Sequence, residues 1–268
     1  ADTITVNASE IMTGSITVAG NSGTDELLLT ADATTILSSL NLNNITGLET
    51  ITLASDQTYS LALNDNNTMA GTILKIDASA VTSANTVTVD ATNERDGTLE
   101  FVGGSGADLL SINSEMLLNV NSILLAGLGT DTLEFNALSG AVILSSTALE
   151  NIKEFETWLL NTDQSYNLTL HNNNVSVSGE NLTIDGTQLT EISSMVIDGS
   201  GVFDGGLTLI GGAGADSLTG GWGDDLLFGG VGSDTFYASA GSDVISVGGS
   251  YDGDRFIIGA EFYVHNIT

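Results

Sequence analysis

The sequence predicts an all-β fold in which short parallel strands stack as a right-handed β-solenoid. Three observations carry that reading: a long internal duplication, apolar triplets at short intervals, and a run of glycine-rich nonapeptides. A solenoid suits such a pattern because each coil buries its apolar face on the next, so the same short unit can be used many times.

The duplication returns a block of sequence about 107 residues later with its spacing nearly intact. Asn44-Ile45 recurs as Asn151-Ile152, Glu49-Thr50 as Glu156-Thr157 and Asp56-Gln57 as Asp163-Gln164. Tyr59 answers Tyr166, and after a one-residue shift Ile76-Asp77 answers Ile184-Asp185 and Val89-Asp90 answers Ile197-Asp198. Both copies finish on a glycine-rich nonapeptide, at 103–111 and 211–219. Ala1-Asp2 heads a stretch similar to the one after Ala107-Asp108, and Gly253-Asp254-Arg255-Phe256 begins that stretch again. The expected organisation is a first solenoid unit at 1–107, a related unit at 108–210, a regular glycine-rich segment at 211–253 and the start of a further unit at 254–268, as in an excerpt from a longer repeating polypeptide.

Apolar triplets recur every 10 to 13 residues, at 51–53, 61–63, 74–76, 87–89 and 99–101, and in the second copy at 168–170, 182–184, 195–197 and 207–209. Each alternates in-out-in, the pattern of a short strand with one buried face, and Gly, Asn, Asp and Ser bound it. Helical periodicity is weak, with a turn or two of helix expected at 33–40 and 148–155.

Composition limits the partners. A chain of 268 residues with 41% hydrophobic content can bury a sizeable core. Thirty-four acidic residues face only Lys75, Arg95, Lys153 and Arg255, giving a formal charge of -30. Nucleic acids and anionic headgroups are bound through clustered Lys and Arg, so this field repels both and selects cations. Cysteine and proline are absent and glycine numbers 32, so repetition and metal rather than disulfides must hold the fold. No apolar run nears the ~20 residues of a membrane span, and the opening ADTITVNASE lacks signal-peptide character, which places any export signal outside the sequence.

From Gly211 the chain reads GGAGADSLT, GGWGDDLLF, GGVGSDTFY and a looser ASAGSDVIS, a match to the nonapeptide GGxGxDxUx. The buried apolar position falls on Leu218, Leu227, Phe236 and Ile245. Two nonapeptides make one coil, so Asp216 is expected over Asp234 and Asp225 over Asp243, separated by the ~4.8 Å between paired strands. Without a counter-ion each such pair repels by roughly 3 to 4 kcal/mol at an effective dielectric near 20. Calcium takes oxygen ligands at about 2.3 to 2.6 Å, so one ion midway reaches both carboxylates. Glycine allows backbone angles that turn carbonyls inward as further ligands.

These nonapeptides resemble the RTX calcium-binding β-roll family, and the repeated blocks are similar to those of large secreted and surface-layer-like bacterial proteins. The resemblance implies ligand sets that combine carbonyls and Asp residues of turns one coil apart. One set is Gly212, Gly214 and Asp216 with Gly229, Val231 and Asp234. A second is Gly221, Gly223 and Asp225 with Ala238, Ala240 and Asp243, departing from pattern where Ala238-Ser239 replaces Gly-Gly. A third would join Gly230, Gly232 and Asp234 to the region of Asp252. Isolated copies at 20–28, 103–111 and 126–134 place Asp25, Asp108 and Asp131 at the ligand position without a partner 18 residues away.

Other candidates are weaker. His171 and His265 form no zinc-protease motif, and Ala107 stands where a nucleophile elbow needs its last glycine. Asp77, Asp90, Asp185, Asp198 and Asp204 follow strands and are expected to cap turns. Trp222 should point outward from its turn, whereas Trp158 should pack. The resulting expectation is a non-catalytic, calcium-dependent extracellular structural protein, namely a surface-layer, adhesin or matrix component, with calcium as cofactor. The resemblance implies secretion by a type I route to the cell surface. Self-association into a layer or filament is expected, with neither nucleic-acid binding nor membrane insertion. Two alternatives are a carrier region of a larger secreted enzyme or toxin, and a glycan- or surface-binding adhesin module.

Overall fold

The structure is a computed structural model that describes residues 1–268 except 15, 119–120, 176–179, 250–252, 259–262 and 268. The chain is all-β with parallel strands stacked as a β-solenoid, and it forms two compact units, Ala1–Leu133 and Glu134–Thr268.

In the first unit one column of paired parallel strands runs through Thr3–Asn7, Glu26–Thr30, Thr50–Leu53, Ile73–Asp77, Thr98–Val102 and Ile123–Leu125. A second runs through Thr35–Leu37, Tyr59–Ala62, Val87–Ala91 and Leu109–Asn113. In the second unit the columns are Val142–Leu144, Tyr166–Thr169, Met195–Asp198, Ser217–Thr219, Thr235–Ala238 and Arg255–Ile258, and Thr157–Leu160, Asn181–Asp185, Gly206–Ile210, Leu226–Phe228, Ser242–Ser246 and Tyr263–Ile267. Strands of one column follow each other at every second or third strand of the chain, as a solenoid requires.

The register keeps apolar residues in line. Leu27, Ile51 and Ile76 stack in one file, and Leu182, Leu207 lie side by side in another, all buried. Because side chains alternate along a strand, this in-step pairing keeps every triplet's outer residues in the core. Leu218, Leu227, Phe236 and Ile245 are buried as their motif position demands. Trp158 is fully enclosed against Phe135, whereas Trp222 stands 60% exposed.

Short helices fall elsewhere than periodicity suggests, at Ser39–Leu42 and Ser146–Leu149, with a further one at Ala8–Met12. Residues Thr35–Leu37 form a strand, in keeping with their β-branched content, and the helix begins only where Ser38 supplies a cap to the Asn41 N–H. Ser145 caps the equivalent helix in the second copy through the Ala148 N–H.

The corners of the wide coils are tied by buried asparagines. Asn67 Nδ2 donates to the carbonyls of Leu42 and Ile45 at 2.8 and 2.7 Å, and Asn174 does the same to Leu149 and Ile152 at 2.7 and 2.9 Å. Asp77, Asp90, Asp185 and Asp198 each accept the N–H two residues on, closing the turn after their strands. Asp204 instead accepts from the Asn172 amide. His171 caps a short helical turn, its Nδ1 accepting the Asn173 N–H, while the side chain of His265 lies outside the described residues. Among the described residues no helix is long and apolar enough to cross a membrane.

Candidate calcium sites

The acidic turns form ladders. Asp216 Oδ1 accepts the Met195 N–H at 2.6 Å, Asp234 Oδ1 accepts that of Asp216 at 2.9 Å, and Asp254 Oδ1 accepts that of Asp234 at 2.9 Å. On the other edge Asp225 Oδ1 accepts from Leu207 at 2.7 Å and Asp243 Oδ1 from Asp225 at 3.1 Å. The steps from Asp216 to Asp234 and from Asp225 to Asp243 span 18 residues, and the step from Asp234 to Asp254 spans 20. Asp252 lies outside the described residues, and the carboxylate that meets Asp234 is that of Asp254.

Glycine makes these ladders possible. A Cβ at Gly211, Gly220 or Gly229 would strike the Oδ2 atom of Asp216, Asp225 or Asp234, so the bare Cα is what admits each carboxylate to the interior. Gly230 and Gly232, with φ of +95° and +125°, lie against the carbonyls of Gly212 and Gly214 one coil earlier, and Gly211 lies against that of Gly229. Carbonyl oxygens from both turns therefore face the neighbouring coil. The Gly212 carbonyl also accepts the Val231 N–H at 3.0 Å, which uses one of its two lone pairs. Gly241 lies against the Gly223 carbonyl. In the looser fourth turn Ser239, next to Ala238 and Ala240, gives its N–H to Asp243 Oδ2 at 3.3 Å and its hydroxyl to Asp225 Oδ2 at 3.4 Å. Gly221 N–H donates to Asp225 Oδ2 at 2.7 Å.

The carboxylates are deeply buried. Asp216, Asp225, Asp234 and Asp243 are all 2% exposed or less, and Asp234 Oδ2 has no hydrogen-bond partner. Burial pushes the Asp225 carboxyl up to about 7, against the Leu207 N–H and with the Asp243 charge adding to the rise. Burial likewise pushes Asp216 up to about 6, and raises Asp234 and Asp243. Each ladder is a column of carboxyl and carbonyl oxygens with, among the described residues, no basic side chain as hydrogen-bond partner. A hard divalent cation fits that donor set.

The isolated turns of the first unit are also stacked, at a spacing other than 18. Asp131 Oδ1 accepts the Asp108 N–H at 2.7 Å across 23 residues, and Asp108 accepts from Val87 and Gly104. Gly103 lies against the Ala126 carbonyl, Gly127 against that of Gly104 and Gly129 against that of Gly106, the same contacts as in the regular turns. Asp25 accepts the Asp2 N–H at 2.8 Å across 23 residues, and its own N–H donates to Glu49 Oε2 at 2.7 Å. Asp25 is buried with Oδ2 lacking a hydrogen-bond partner. Glu49 and Asp254 thus belong to the acidic ladders, though neither occupies a nonapeptide Asp position.

A parallel β-solenoid with acidic, glycine-lined turns stacked in register defines a calcium-binding β-roll. Residues 208–236 and 219–253 match the family model described as RTX calcium-binding nonapeptide repeat (4 copies), so this part of the chain carries RTX repeats. No curated protein and no solved structure matches the chain.

Proposed function

We propose that this chain is an extracellular structural segment, a surface-layer, adhesin or matrix component, whose narrow coils fold when calcium enters the acidic ladders after secretion by a type I route. The observation that carries the reading is the pair of ladders through Asp216, Asp234 and Asp254 and through Asp225 and Asp243, all but Asp254 buried and, among the described residues, without a basic side chain as hydrogen-bond partner. The proposed ligand sets are Gly212, Gly214 and Asp216 with Gly229, Val231 and Asp234, and Gly221, Gly223 and Asp225 with Ala238, Ala240 and Asp243. By equivalence of contacts a further set pairs Gly104, Gly106 and Asp108 with Ala126, Leu128 and Asp131, and Asp25 pairs with Glu49.

The mechanism is linkage. The bound ion would neutralise oxygens that otherwise repel across adjacent coils, while the glycines hold the carbonyls in place. An ion that binds only the folded coils adds about 2.7 kcal/mol per site at 100 times its dissociation constant. At the low free calcium of a cytosol the turns repel and the coils stay open for export; outside, they close. Lateral or end-to-end association into a layer or filament is the role such a segment would serve.

Circular dichroism during a calcium titration of the chelated protein tests this, with magnesium as control. A gain of β signal with calcium alone is expected. Equal signal in chelator and in millimolar calcium would overturn the reading. A second reading, recognition of a glycan or solid surface, is favoured by the exposed Trp222, which meets the exposed Phe203 edge-on at 5.2 Å. Loss of glycan-panel binding in Trp222→Ala with its calcium response intact would support that role.

A further inference from the structure

The duplication sets one backbone corner in both units and puts different side chains on it. In the second unit Asn172 Oδ1 accepts the Phe203 N–H at 2.7 Å; in the first Asp65 Oδ1 accepts the Arg95 N–H at 3.0 Å. The buried asparagines fix the equivalence, since Asn67 Oδ1 accepts the Asn64 N–H and Asn174 Oδ1 accepts that of His171, both at 2.8 Å. At this corner the second copy keeps one carboxyl of the three: Asn172 Nδ2 donates to Asp204 Oδ2 at 2.6 Å, and the fully buried Val202 stands two residues before Asp204.

In the first copy Asp65, Glu94 and Asp96 occupy those three positions, with one oxygen from each lying within 4.8 Å of the others. Glu94 is only 1% exposed. Its Oε1 accepts the N–H groups of Arg95, Asp96 and Gly97 at 3.1, 3.4 and 3.0 Å, but its buried Oε2 has no hydrogen-bond partner. The ion pairs of Lys75 go to Asp77 and Glu100, and among the described residues no ion pair to Asp65, Glu94 or Asp96 is seen. A cleft of about 440 Å³ lined by Asp65, Asp96, Asn66 and Thr68 opens the corner to solvent.

We propose that Asp65, Glu94 and Asp96 form a divalent-cation site, suited to calcium, that lies outside every nonapeptide and that the second copy lacks. Three oxygens within 4.8 Å of one another all lie about 2.8 Å or less from a common point. Calcium bonds at about 2.3 to 2.6 Å, so a shift of a few tenths of an ångström closes the site, and water in the cleft can complete the shell. The ion would tie the corner at Asp65 to the one at Glu94 and Asp96, one coil on, and would offset the charge of a carboxyl that the fold buries. The Asn172 amide supplies the corresponding tie in the second unit.

The test is native mass spectrometry of the full chain in calcium, with calorimetry for affinities. Asp65→Asn/Asp96→Asn changes two exposed side chains, and Glu94→Val copies the second unit. Each should bind one calcium ion fewer than the wild type, or bind that ion about tenfold or more weakly, since affinity follows ligand charge. The double variant should keep the wild-type circular dichroism. Asp216→Asn/Asp225→Asn should leave this ion in place, which separates the site from the nonapeptides. A double variant with the wild-type ion count and affinities would overturn the proposal.

Discussion

The wide coils and the narrow coils of residues 207–246 share an architecture and differ in what fills it. A strand of a wide coil buries two apolar side chains: Leu27 and Leu29, Ile51 and Leu53, Leu74 and Ile76, Trp158 and Leu160, Leu182 and Ile184. The nonapeptide strands bury one each, namely Leu218, Leu227 and Phe236. A fully buried side chain of this size stabilises by about 1.5 to 3 kcal/mol, so every narrow strand forgoes that much. The acidic residues run the other way, because the narrow region carries ladders of buried carboxylates along both edges. Apolar burial carries more of the wide coils, whereas each nonapeptide strand buries half as many apolar side chains and stands between edges of stacked acidic turns.

Calcium removal should break this comparison open most widely. In chelator, hydrogen exchange at 207–246 is expected to rise by about hundredfold for each lost site held at 100 times its dissociation constant, while amides of the wide-coil strands at 157–170, which border no proposed ion, keep their protection. Uniform deprotection of both regions would mean that the wide coils need ions as much as the narrow ones do.

Acidity should separate the regions next. Folding raises the Asp216 and Asp225 carboxyls to about 6 and about 7, so the metal-free narrow coils prefer to hold these protons. Their contribution is fully present below the ordinary carboxylate value of 3.8 and is lost as pH rises through about 7. In the wide coils Asp56 and Asp163 are lowered, chiefly by the backbone N–H groups of Thr82 and Thr190, and so act in the opposite direction on exposed turns. In chelator the urea midpoint reported by Trp222, in a Trp158→Phe background, should therefore be higher at pH 5 than at pH 7.5. Saturating calcium should reverse that order, because ligands must be deprotonated to bind.

Much of this was legible beforehand because short strands advertise themselves by alternation and nonapeptides by spacing. Leu218, Leu227, Phe236 and Ile245 were assigned to the core from motif position alone, and Trp158 and Trp222 to opposite environments. What spacing hid was the width of the other coils. Asp108 lacks a partner 18 residues away but meets Asp131 across 23, because corners absorb extra residues while the strands stay in register. Asp254 and Glu49 escaped as well, one standing 20 residues from Asp234 instead of 18 and the other being of a different residue type. The helices were misplaced because their starts depend on single caps, Ser38 and Ser145, rather than on apolar period. Asp65 and Glu94 sit a full coil apart in sequence, and the signal that could have joined them was the substitution of Asn172 and Val202 in the aligned copy.

Single core truncations sharpen the contrast further. Leu227→Ala and Ile76→Ala should each cost about 2 to 5 kcal/mol, since both remove a fully buried branched side chain. Leu227 is the one apolar side chain its strand buries fully, so its loss should also weaken calcium binding at the stacked turns. Ile76→Ala should lower the thermal midpoint and leave calcium affinity at the nonapeptides unchanged. Equal effects on calcium binding would show that folding of the narrow coils depends on the wide ones.

The smallest expected effect comes from the asparagine ties of the wide coils. Asn67 satisfies two carbonyls of the preceding coil and takes one N–H through its own oxygen, all in a buried site. Asn67→Ala leaves the Leu42 and Ile45 carbonyls without that donor, at a cost of about 1 to 3 kcal/mol. Asn174→Ala should cost about the same, because Leu149 and Ile152 stand in the same relation to it. Neither should alter the calcium response of residues 211–243, where the turns are tied by carboxylates and glycine backbone instead. A calcium midpoint that moved with either variant would mean that corner and ladder belong to one cooperative element; an unmoved midpoint with a lowered melting temperature would keep them separate.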